Sequence, residues 1–202
     1  MNRHIKSKAE KTRDLIIQKA APIFNKKGYA GTSLSDLLKS TGLTKGSIYG
    51  NFKNKDEIAL EAFQHNFAWI RASLIAAASA KSNSIDKLLA IINFYRQEYS
   101  KMSAQGGCPI LNTAIESDDN MPLLRSKVQE SLIGWKMLID SIIIQGKIKK
   151  EIRPDADSSH YSVMLIALIE GGIMLAKITN EPSNLFVVLD KGEKIIKDDL
   201  SV

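Results

Sequence analysis

The sequence has little of the chemistry that disulfide-rich and zinc-binding proteins need. Its 202 residues include one cysteine, Cys108, which cannot pair within the chain or build a cysteine-based zinc site. A reducing cytoplasm is therefore the expected location. The basic N-terminus is not followed by an apolar stretch and a cleavage site, so no secretory signal is expected.

Features of catalytic and membrane proteins are also missing. Three histidines are present, they lie far apart, and no metal-ligand spacing, phosphate-binding loop or nucleophile motif accompanies them. We therefore expect no enzyme activity, no metal and no cofactor. The longest apolar segments, such as residues 138–144, fall short of the roughly 18 residues that a membrane span requires, so no membrane association is expected.

What the sequence does contain is helical periodicity. Apolar residues recur at spacings of three and four almost throughout the chain, whereas strand-like alternation does not persist. This pattern predicts an all-α fold of about nine helices, with Pro22 expected to kink the first. The predicted helices cover residues 8–26, 34–40, 45–51, 54 or 55 to 80, 84–104, 109–117, 122–146, 155–179 and 182–198.

Positive charge is concentrated at the start of the chain. The first 55 residues hold 12 Lys and Arg against three Asp and Glu, a charge of +9, whereas the whole chain carries +6 and the remainder therefore −3. This asymmetry suggests a polyanion partner for the N-terminal part, and a solvated lysine-rich surface is the alternative. Few aromatic residues lie in this part, which argues against binding of single-stranded nucleic acid.

Two short predicted helices near the N-terminus have the spacing of a helix-turn-helix, with Thr32 or Ser33 as the first N-cap, Thr44 as the second and Gly42 in the turn. Residues 12–63 resemble the N-terminal domain of the TetR family of repressors. The matching residues are Thr12, Arg13, Ala20, Phe24, Gly28, Tyr29, Thr32, Ser33, Gly42, Lys45, Gly46, Ser47, Ile48, Tyr49, Phe52 and Lys55. Pro22 and Gly50 depart from the family pattern. The resemblance implies a helix-turn-helix DNA-binding domain at residues 1–54 and a helical ligand-binding and dimerisation domain at residues 55–202.

The second short helix is the expected recognition helix, which presents short polar side chains and cations to base edges and phosphates. Lys45 can donate to guanine, and Tyr49 and Lys55 resemble the family's phosphate-contacting residues. Ile48 and Phe52 are expected to face inward. The candidate DNA-contacting residues are Ser33, Ser35, Thr44, Lys45, Gly46, Ser47, Tyr49, Asn51 and Lys55. A solvated surface of short helices is the alternative.

By the same resemblance, a ligand pocket lies among the helices of the C-terminal domain, mostly apolar with a few polar anchors. The candidate lining residues are Phe63, Phe67, Phe94, Met102, Cys108, Asn112, Trp135, Met164 and Leu168. Ordinary core packing is the alternative for each aromatic residue. The expected inducer is a small molecule of apolar or aromatic character.

Cys108 and Glu170 carry further hypotheses. Residues 106–112, Gly-Gly-Cys-Pro-Ile-Leu-Asn, resemble a branch of the family that responds to drugs and to reactive electrophiles. Cys108 precedes a predicted helix whose dipole favours a thiolate, so it is either a redox or electrophile sensor or a small buried apolar residue. Glu170 is either a group that recognises a cationic ligand or a charge at the rim of an interface.

The most apolar predicted helix, over residues 161–176, must be buried on most sides. It is expected to form the dimer interface that the resemblance implies, with Gly171 and Gly172 allowing close approach of the backbones. The last helix is expected to add Leu185, Phe186, Val188 and Leu189. The expected function is that of a homodimeric transcriptional repressor that a small molecule or reactive electrophile releases from a palindromic operator in double-stranded DNA. An activator, a ligand-blind regulator and a helical protein adaptor are the alternatives.

Overall fold

The computed structural model describes residues 6–117 and 121–202, and these residues confirm the expected all-α fold. Within those two ranges the β pairing amounts to one isolated bridge between Ile152 and Ser201. The helices are α1 (Lys8–Gly31), α2 (Leu34–Thr41), α3 (Lys45–Tyr49), α4 (Lys55–Ser79), α5 (Ser84–Ala104), α6 (Pro109–Glu116), α7 (Pro122–Ile148), α8 (Ser158–Thr179) and α9 (Ser183–Lys194), followed by a π-helix at Ile195–Leu200.

The break in α1 lies at Gly28 and not at Pro22. The sequence predicts an end near Lys26 and a kink at Pro22. Helical geometry instead continues through Pro22 and is interrupted at Gly28, with a φ of 73°, two residues past the predicted end. Glycine adopts this left-handed conformation without the steric cost that a side chain brings. The interruption separates a short last turn, up to Gly31, from the body of the helix, and the N–H groups next to the break need partners from elsewhere.

Two other boundaries differ from the sequence-based expectation. α8 begins at Ser158 rather than at residue 155, because the Asp157 carboxylate accepts hydrogen bonds from the N–H groups of Ser159 and His160 and caps the helix there. The α-helical geometry of α9 ends at Lys194 rather than at residue 198, and the chain continues as the π-helix. The remaining helix ends agree with the predicted positions to within two residues.

The chain packs as two compact units. The N-terminal unit comprises residues 1–68 and 109–128, and the C-terminal unit comprises residues 69–108 and 129–202. This division passes through α4 and α7 and assigns α6 to the N-terminal unit. The functional boundary expected between residues 54 and 55 stays a prediction, because compactness does not report which residues bind DNA or ligand.

An apolar cluster forms the core around the short helices of the N-terminal unit. Its buried members are Ile16, Ile17, Ala20, Ala21, Phe24, Leu37, Ile48, Phe52, Ile58, Ala59 and Ala62. They come from α1, α2, α3, the residues that follow α3 and the start of α4, which share one cluster. Burial of this surface holds the two short helices against α1 and leaves their polar side chains on the outside.

α8 is the most apolar helix of the C-terminal unit. Within the described ranges it is the one helix that is long and apolar enough to cross a membrane, a property that buried core helices also have. Its inner face packs on α9, since a Cβ at Gly172 would lie 2.8 Å from Leu185 Cδ1 and 3.3 Å from Val188 Cβ. The expectation that Gly172, Leu185 and Leu189 contact a second copy is therefore wrong, because the protomer itself buries them.

Candidate DNA interface and ligand-response site

The helix-turn-helix is built by local hydrogen bonds. The Ser33 hydroxyl accepts from Asp36 N–H at 3.1 Å while the Asp36 carboxylate accepts from Ser33 N–H at 2.9 Å, which closes a capping box at the start of α2. Gly42 ends α2 with a φ of 70°. The Thr44 hydroxyl then caps α3 by accepting from Ser47 N–H at 3.2 Å. These contacts set the turn between the two helices.

α3 has one buried side and one exposed side. Ile48 and Phe52, which the sequence predicts to face inward, are 0% and 2% exposed. On the opposite side Thr44, Lys45, Gly46 and Tyr49 are exposed, and Ser47 is half-buried. The recognition residues named from the sequence therefore share an outward surface that is supported by an apolar anchor.

Three other candidate DNA-contacting residues differ in how their side chains are engaged. Ser35 is exposed, as is Ser33, but the Ser33 hydroxyl also donates to the Asp36 carboxylate at 2.8 Å. The Asn51 side-chain amide donates to the Ser47 carbonyl at 2.8 Å. Ser33 and Asn51 therefore support the backbone of the motif in this structure, and their contact with DNA stays a prediction.

Lys55 and Tyr29 join the start of α4 to the end of α1. The Lys55 ammonium donates to the Tyr29 carbonyl at 2.6 Å and lies 4.2 Å from the centre of the Tyr29 ring. The Tyr29 hydroxyl donates to the Asp56 carboxylate, and this hydrogen bond, together with burial, raises the pKa of Tyr29 to about 12. The candidate phosphate-contacting lysine is thus held in place within the N-terminal unit.

Arg13 is a positioning residue that the sequence named only as part of a motif. Its guanidinium donates to Glu57 at 2.6 Å, to Glu61 and to the Asn51 carbonyl, and it lies 4.0 Å from the centre of the Phe52 ring. The hydrogen bond from Arg13 holds the pKa of Glu57 below its usual value. Arg13 therefore fastens the end of the recognition helix to both α1 and α4. A basic residue on α1 and two acids spaced four apart on α4 are the sequence signal for it.

α6 is bound to α1 through two side chains. The Asn112 amide donates to the backbone carbonyl of Asn25 at 3.1 Å and to its side-chain oxygen at 3.0 Å. Glu116 accepts from Tyr29 N–H at 2.6 Å, next to the break at Gly28. Glu116 thus satisfies a backbone donor that the break leaves free, and Asn112, a candidate pocket residue, is engaged with α1.

The structure divides the candidate ligand residues between the two units. Phe63 and Phe67 stack with ring centres 6.2 Å apart in the N-terminal unit, which also holds Asn112. The others lie in the C-terminal unit, where Met164 and Leu168 are half-buried on α8. The candidate lining residues buried in that unit are Phe94, Met102, Cys108 and Trp135. The nine candidates therefore do not line one shared pocket in either unit.

A chain of aromatic rings connects the buried candidates of the C-terminal unit. Phe94 lies 5.9 Å from Trp69 and 5.1 Å from Tyr95, and Tyr95 lies 5.7 Å from Trp135, all between ring centres. An open groove of about 540 Å³ runs beside it, with Trp69, Phe94 and Lys101 among its lining residues. Tyr95 is the central ring of this chain, and the sequence did not single it out because its spacing on α5 is that of any core residue.

Cys108 is paired with a carboxylate. Its thiol is 2% exposed and donates to Glu170 Oε1 at 2.9 Å. The thiolate expected from the helix dipole is disfavoured here, because a second negative charge would face the carboxylate. Burial raises the pKa of Glu170 to about 7, and the hydrogen bond from Cys108 opposes that shift. Glu170 is half-buried as a residue, but its Oε2 atom is fully enclosed.

Comparisons with known proteins agree with this architecture. Residues 16–62 match the family described as bacterial regulatory proteins, tetR family, and residues 84–190 match the tetracyclin repressor-like C-terminal domain. The crystal structure of a TetR-family transcriptional regulator from Cytophaga hutchinsonii shares 40% identity, covers 98% of each chain and superposes with a TM-score of 0.93. The chain is also similar to the HTH-type transcriptional regulator LmrA of Bacillus subtilis (25% identity, covering 82% of this chain and 86% of that one) and to the HTH-type transcriptional repressor DhaR of a Mycobacterium species (23%, covering 88% and 89%).

Proposed function

Because this chain belongs to the TetR family of bacterial transcriptional regulators, we propose that it is a repressor that binds a palindromic operator as a homodimer and leaves it when a small molecule binds. Members of this family are DNA-binding regulators and not enzymes. The observation that carries the proposal is the exposed face of α3 above the buried Ile48 and Phe52. Repression is supported by the resemblance to DhaR, and DNA binding makes the cytoplasm the expected location.

The proposed readout assigns different tasks to the exposed residues of α3. Lys45 donates to guanine at the edge of a base pair, while Thr44 and Gly46 allow close approach of the backbone. Tyr49 and Lys55 contact phosphates, which positions the helix without reading sequence. Two copies of the helix in one dimer then occupy half-sites about 34–36 Å apart or somewhat more, which is why the operator is expected to be palindromic.

The proposed dimer interface uses the outer face of α8. Val163, Met174 and Ile178 are 54%, 46% and 80% exposed in the protomer, and Val187 of α9 is 69% exposed. A Cβ at Gly171 would meet nothing within 4 Å, so this glycine lies on the free side. Exposed apolar surface of this extent is typical of an interface between copies. A dimer is also the assembly typical of the family.

A reversibly bound small molecule is favoured over a reactive electrophile as the releasing signal. Cys108 is enclosed, and its proton is engaged with Glu170. Reaction with an electrophile requires an accessible thiolate. An electrophile would therefore reach the thiol only after this part of the C-terminal unit opens. A reversibly bound small molecule needs no reaction with Cys108, because it acts by binding the DNA-free conformation more tightly than the DNA-bound one.

The proposed function is tested by operator binding. DNA from upstream of the gene is titrated with the protein by fluorescence anisotropy, in parallel with unrelated duplex DNA. Lys45→Ala is expected to lose more affinity for the operator than for unrelated DNA, because it removes a base contact worth about 1–3 kcal/mol. Lys149→Ala, which removes the same charge from an exposed loop of the C-terminal unit, is the control. Equal losses on both DNAs for Lys45→Ala contradict the readout role.

A further inference from the structure

The interior of the C-terminal unit contains polar atoms that lack a protein partner. The Tyr95 hydroxyl, Trp135 Nε1 and Glu170 Oε2 are buried and make no hydrogen bond with any described residue. The rings of Tyr95 and Trp135 lie 5.7 Å apart. Burial raises the pKa of Tyr95, and the proximity of Cys108 and Glu170 adds to this shift. Because the Cys108 thiol also donates to Glu170, the four side chains form one cluster, here named the buried polar cluster.

The buried polar cluster is unfavourable for the protein as it stands. A buried polar atom without a partner loses its hydrogen bonds to water and gains none in return, so native proteins contain few of them. The three atoms differ in what they require. Glu170 Oε2 accepts, Trp135 Nε1 donates, and the Tyr95 hydroxyl can do both. A bound molecule that carries both a donor and an acceptor matches these requirements.

We propose that the buried polar cluster is the recognition point of the inducer, and that the inducer is an organic cation carrying an aromatic ring and an oxygen acceptor. This inference rests on the proposed function, since it names the ligand class of the same response. An ammonium group donates to Glu170 Oε2, the oxygen accepts from Trp135 Nε1, and the ring packs among the aromatic rings. The faces of Tyr95 and Trp135 also attract positive charge.

The charge of the cluster selects a cation over a neutral or anionic molecule. Glu170 is the acid of the cluster, and the titratable groups that face it are the Cys108 thiol and the Tyr95 hydroxyl. Burial raises the pKa of Tyr95, so its hydroxyl is neutral near pH 7, and the Cys108 thiol faces Glu170 as a hydrogen-bond donor. A bound ammonium favours the ionised carboxylate and offsets the desolvation of Glu170, whereas an anion would add repulsion.

Entry of the ligand requires side-chain movement. Tyr95, Cys108 and Trp135 are 1%, 2% and 3% exposed, so a molecule that reaches Glu170 Oε2 has to displace them. Cys108 directly precedes Pro109, the first residue of α6. A ligand that takes Glu170 away from the thiol therefore removes one hydrogen bond of the residue that directly precedes α6.

α6 extends this effect towards the DNA-binding helices. It is hydrogen-bonded to α1 through Asn112 and Glu116, and Glu116 accepts from the Tyr29 N–H next to the break at Gly28. By reciprocity, operator DNA weakens binding of the cation by the same factor by which the cation weakens binding of DNA.

The experiment uses calorimetry on the full-length protein with two matched probes. Tyramine carries an ammonium, a ring and a hydroxyl, and tyrosol has the same skeleton with a hydroxyl in place of the ammonium. At pH 8 tyramine is expected to bind at least about tenfold more tightly than tyrosol, because its hydrogen bond to the carboxylate is charge-assisted. Glu170→Gln is expected to abolish this preference. Lowering the pH to 6 is expected to weaken tyramine binding in the unchanged protein and not in the variant.

A second variant keeps the test decisive if Glu170→Gln disturbs packing. Trp135→Phe retains a ring and removes the N–H donor, so it is expected to weaken tyramine about fivefold more than phenethylamine, which lacks the oxygen acceptor. Failure of tyramine to bind, equal affinity for tyramine and tyrosol, or a preference that persists in Glu170→Gln overturns the proposal. Operator binding is measured on the same samples without ligand. If it is intact, such a failure refutes the ligand class and leaves the proposed function standing.

Discussion

The two units of this protein place their polar side chains differently. In the N-terminal unit an apolar cluster supports α3, and Lys45 and Tyr49 lie exposed on its surface. In the C-terminal unit the side chains of Tyr95, Trp135 and Glu170 each carry a buried polar atom that has no partner among the described residues. A DNA interface offers charge to a large partner at the surface, whereas a small-molecule site has to surround its ligand.

This difference determines how each function depends on stability. An exposed contact such as Lys45 can be removed with little effect on folding, because it contributes nothing to the core. A change in the buried polar cluster alters both ligand recognition and the free energy of unfolding, since the same atoms take part in both. Ligand-response variants should therefore show altered stability more often than DNA-contact variants.

The largest effect is expected at Gly172. Substitutions at Gly172 and at its neighbour Gly171 compare the inner face of α8 with its outer face. Gly172→Leu places a side chain against Leu185 and Val188 and is expected to lower the free energy of unfolding by about 3 kcal/mol, as overpacking does. Urea denaturation measures this loss. Its neighbour provides the matched control, because a Cβ at Gly171 meets nothing within 4 Å in the protomer. Gly171→Leu is therefore expected to leave protomer folding intact while weakening the dimer. A dimeric Gly171→Leu variant in sedimentation would contradict the proposed interface.

The next largest effect is the pH dependence of the free energy of unfolding, which arises because Glu170 is buried. The pKa of Glu170 in the folded protein is about 7, above the ordinary value of 4.5, so the folded state binds more protons between these values. Stability is therefore expected to fall by about 2 kcal/mol as the pH rises from 5 to 8. Glu170→Gln should lose this dependence, as measured by urea unfolding at both pH values. An identical pH dependence in the two proteins would mean that another group causes it.

A smaller effect is expected at Arg13, and it tests whether the exposed face of α3 in the N-terminal unit depends on this residue for support. Arg13→Ala frees the end of α3 and leaves Glu57 and Glu61 without their cation, so operator affinity is expected to fall about tenfold, near 1.4 kcal/mol. Arg71→Ala, which removes an exposed arginine from the C-terminal part of α4, is the control. Anisotropy with the operator measures both. Equal affinities for the two variants would show that the exposed face of α3 needs no support from Arg13.

The smallest effect is expected at Glu116, which satisfies the break in α1. Glu116→Ala removes the acceptor of Tyr29 N–H and is expected to cost about 0.5–1 kcal/mol, because water partly replaces it at this exposed site. Glu116→Gln keeps an acceptor oxygen and should cost less. Hydrogen exchange at the Tyr29 amide reports the difference directly. Unchanged protection in Glu116→Ala would show that the contact is dispensable.

The helices and the recognition face could be predicted because their signals are local. Ser33, Gly42 and Thr44 act on neighbours within four residues, and the family pattern covers the same stretch. The fold class and most helix ends follow from apolar spacing alone. The pocket candidates were predicted by resemblance, and their spacing could not show that Phe63, Phe67 and Asn112 belong to one unit and Trp135 to the other.

The contacts that could not be predicted join residues far apart in the chain. Arg13 meets Glu57 and Glu61 across 44 and 48 residues, and Glu116 meets Tyr29 across 87. Sequence patterns report which side of a helix is apolar, but they do not report which helix lies opposite. Gly172 illustrates this limit. Its small size indicates that another helix approaches closely, but it does not show whether that helix belongs to the same protomer or to a second copy.

The sequence by itself determined the helical fold, the position of the helix-turn-helix and the residues of its outward face, because capping, turn chemistry and apolar periodicity act over a few residues. Tertiary structure alone decided which groups support that face, that Gly172 faces α9 within the protomer, and that Tyr95, Cys108, Trp135 and Glu170 share one buried cluster. Their chemistry depends on burial and on distant neighbours, and both are properties of the packed chain.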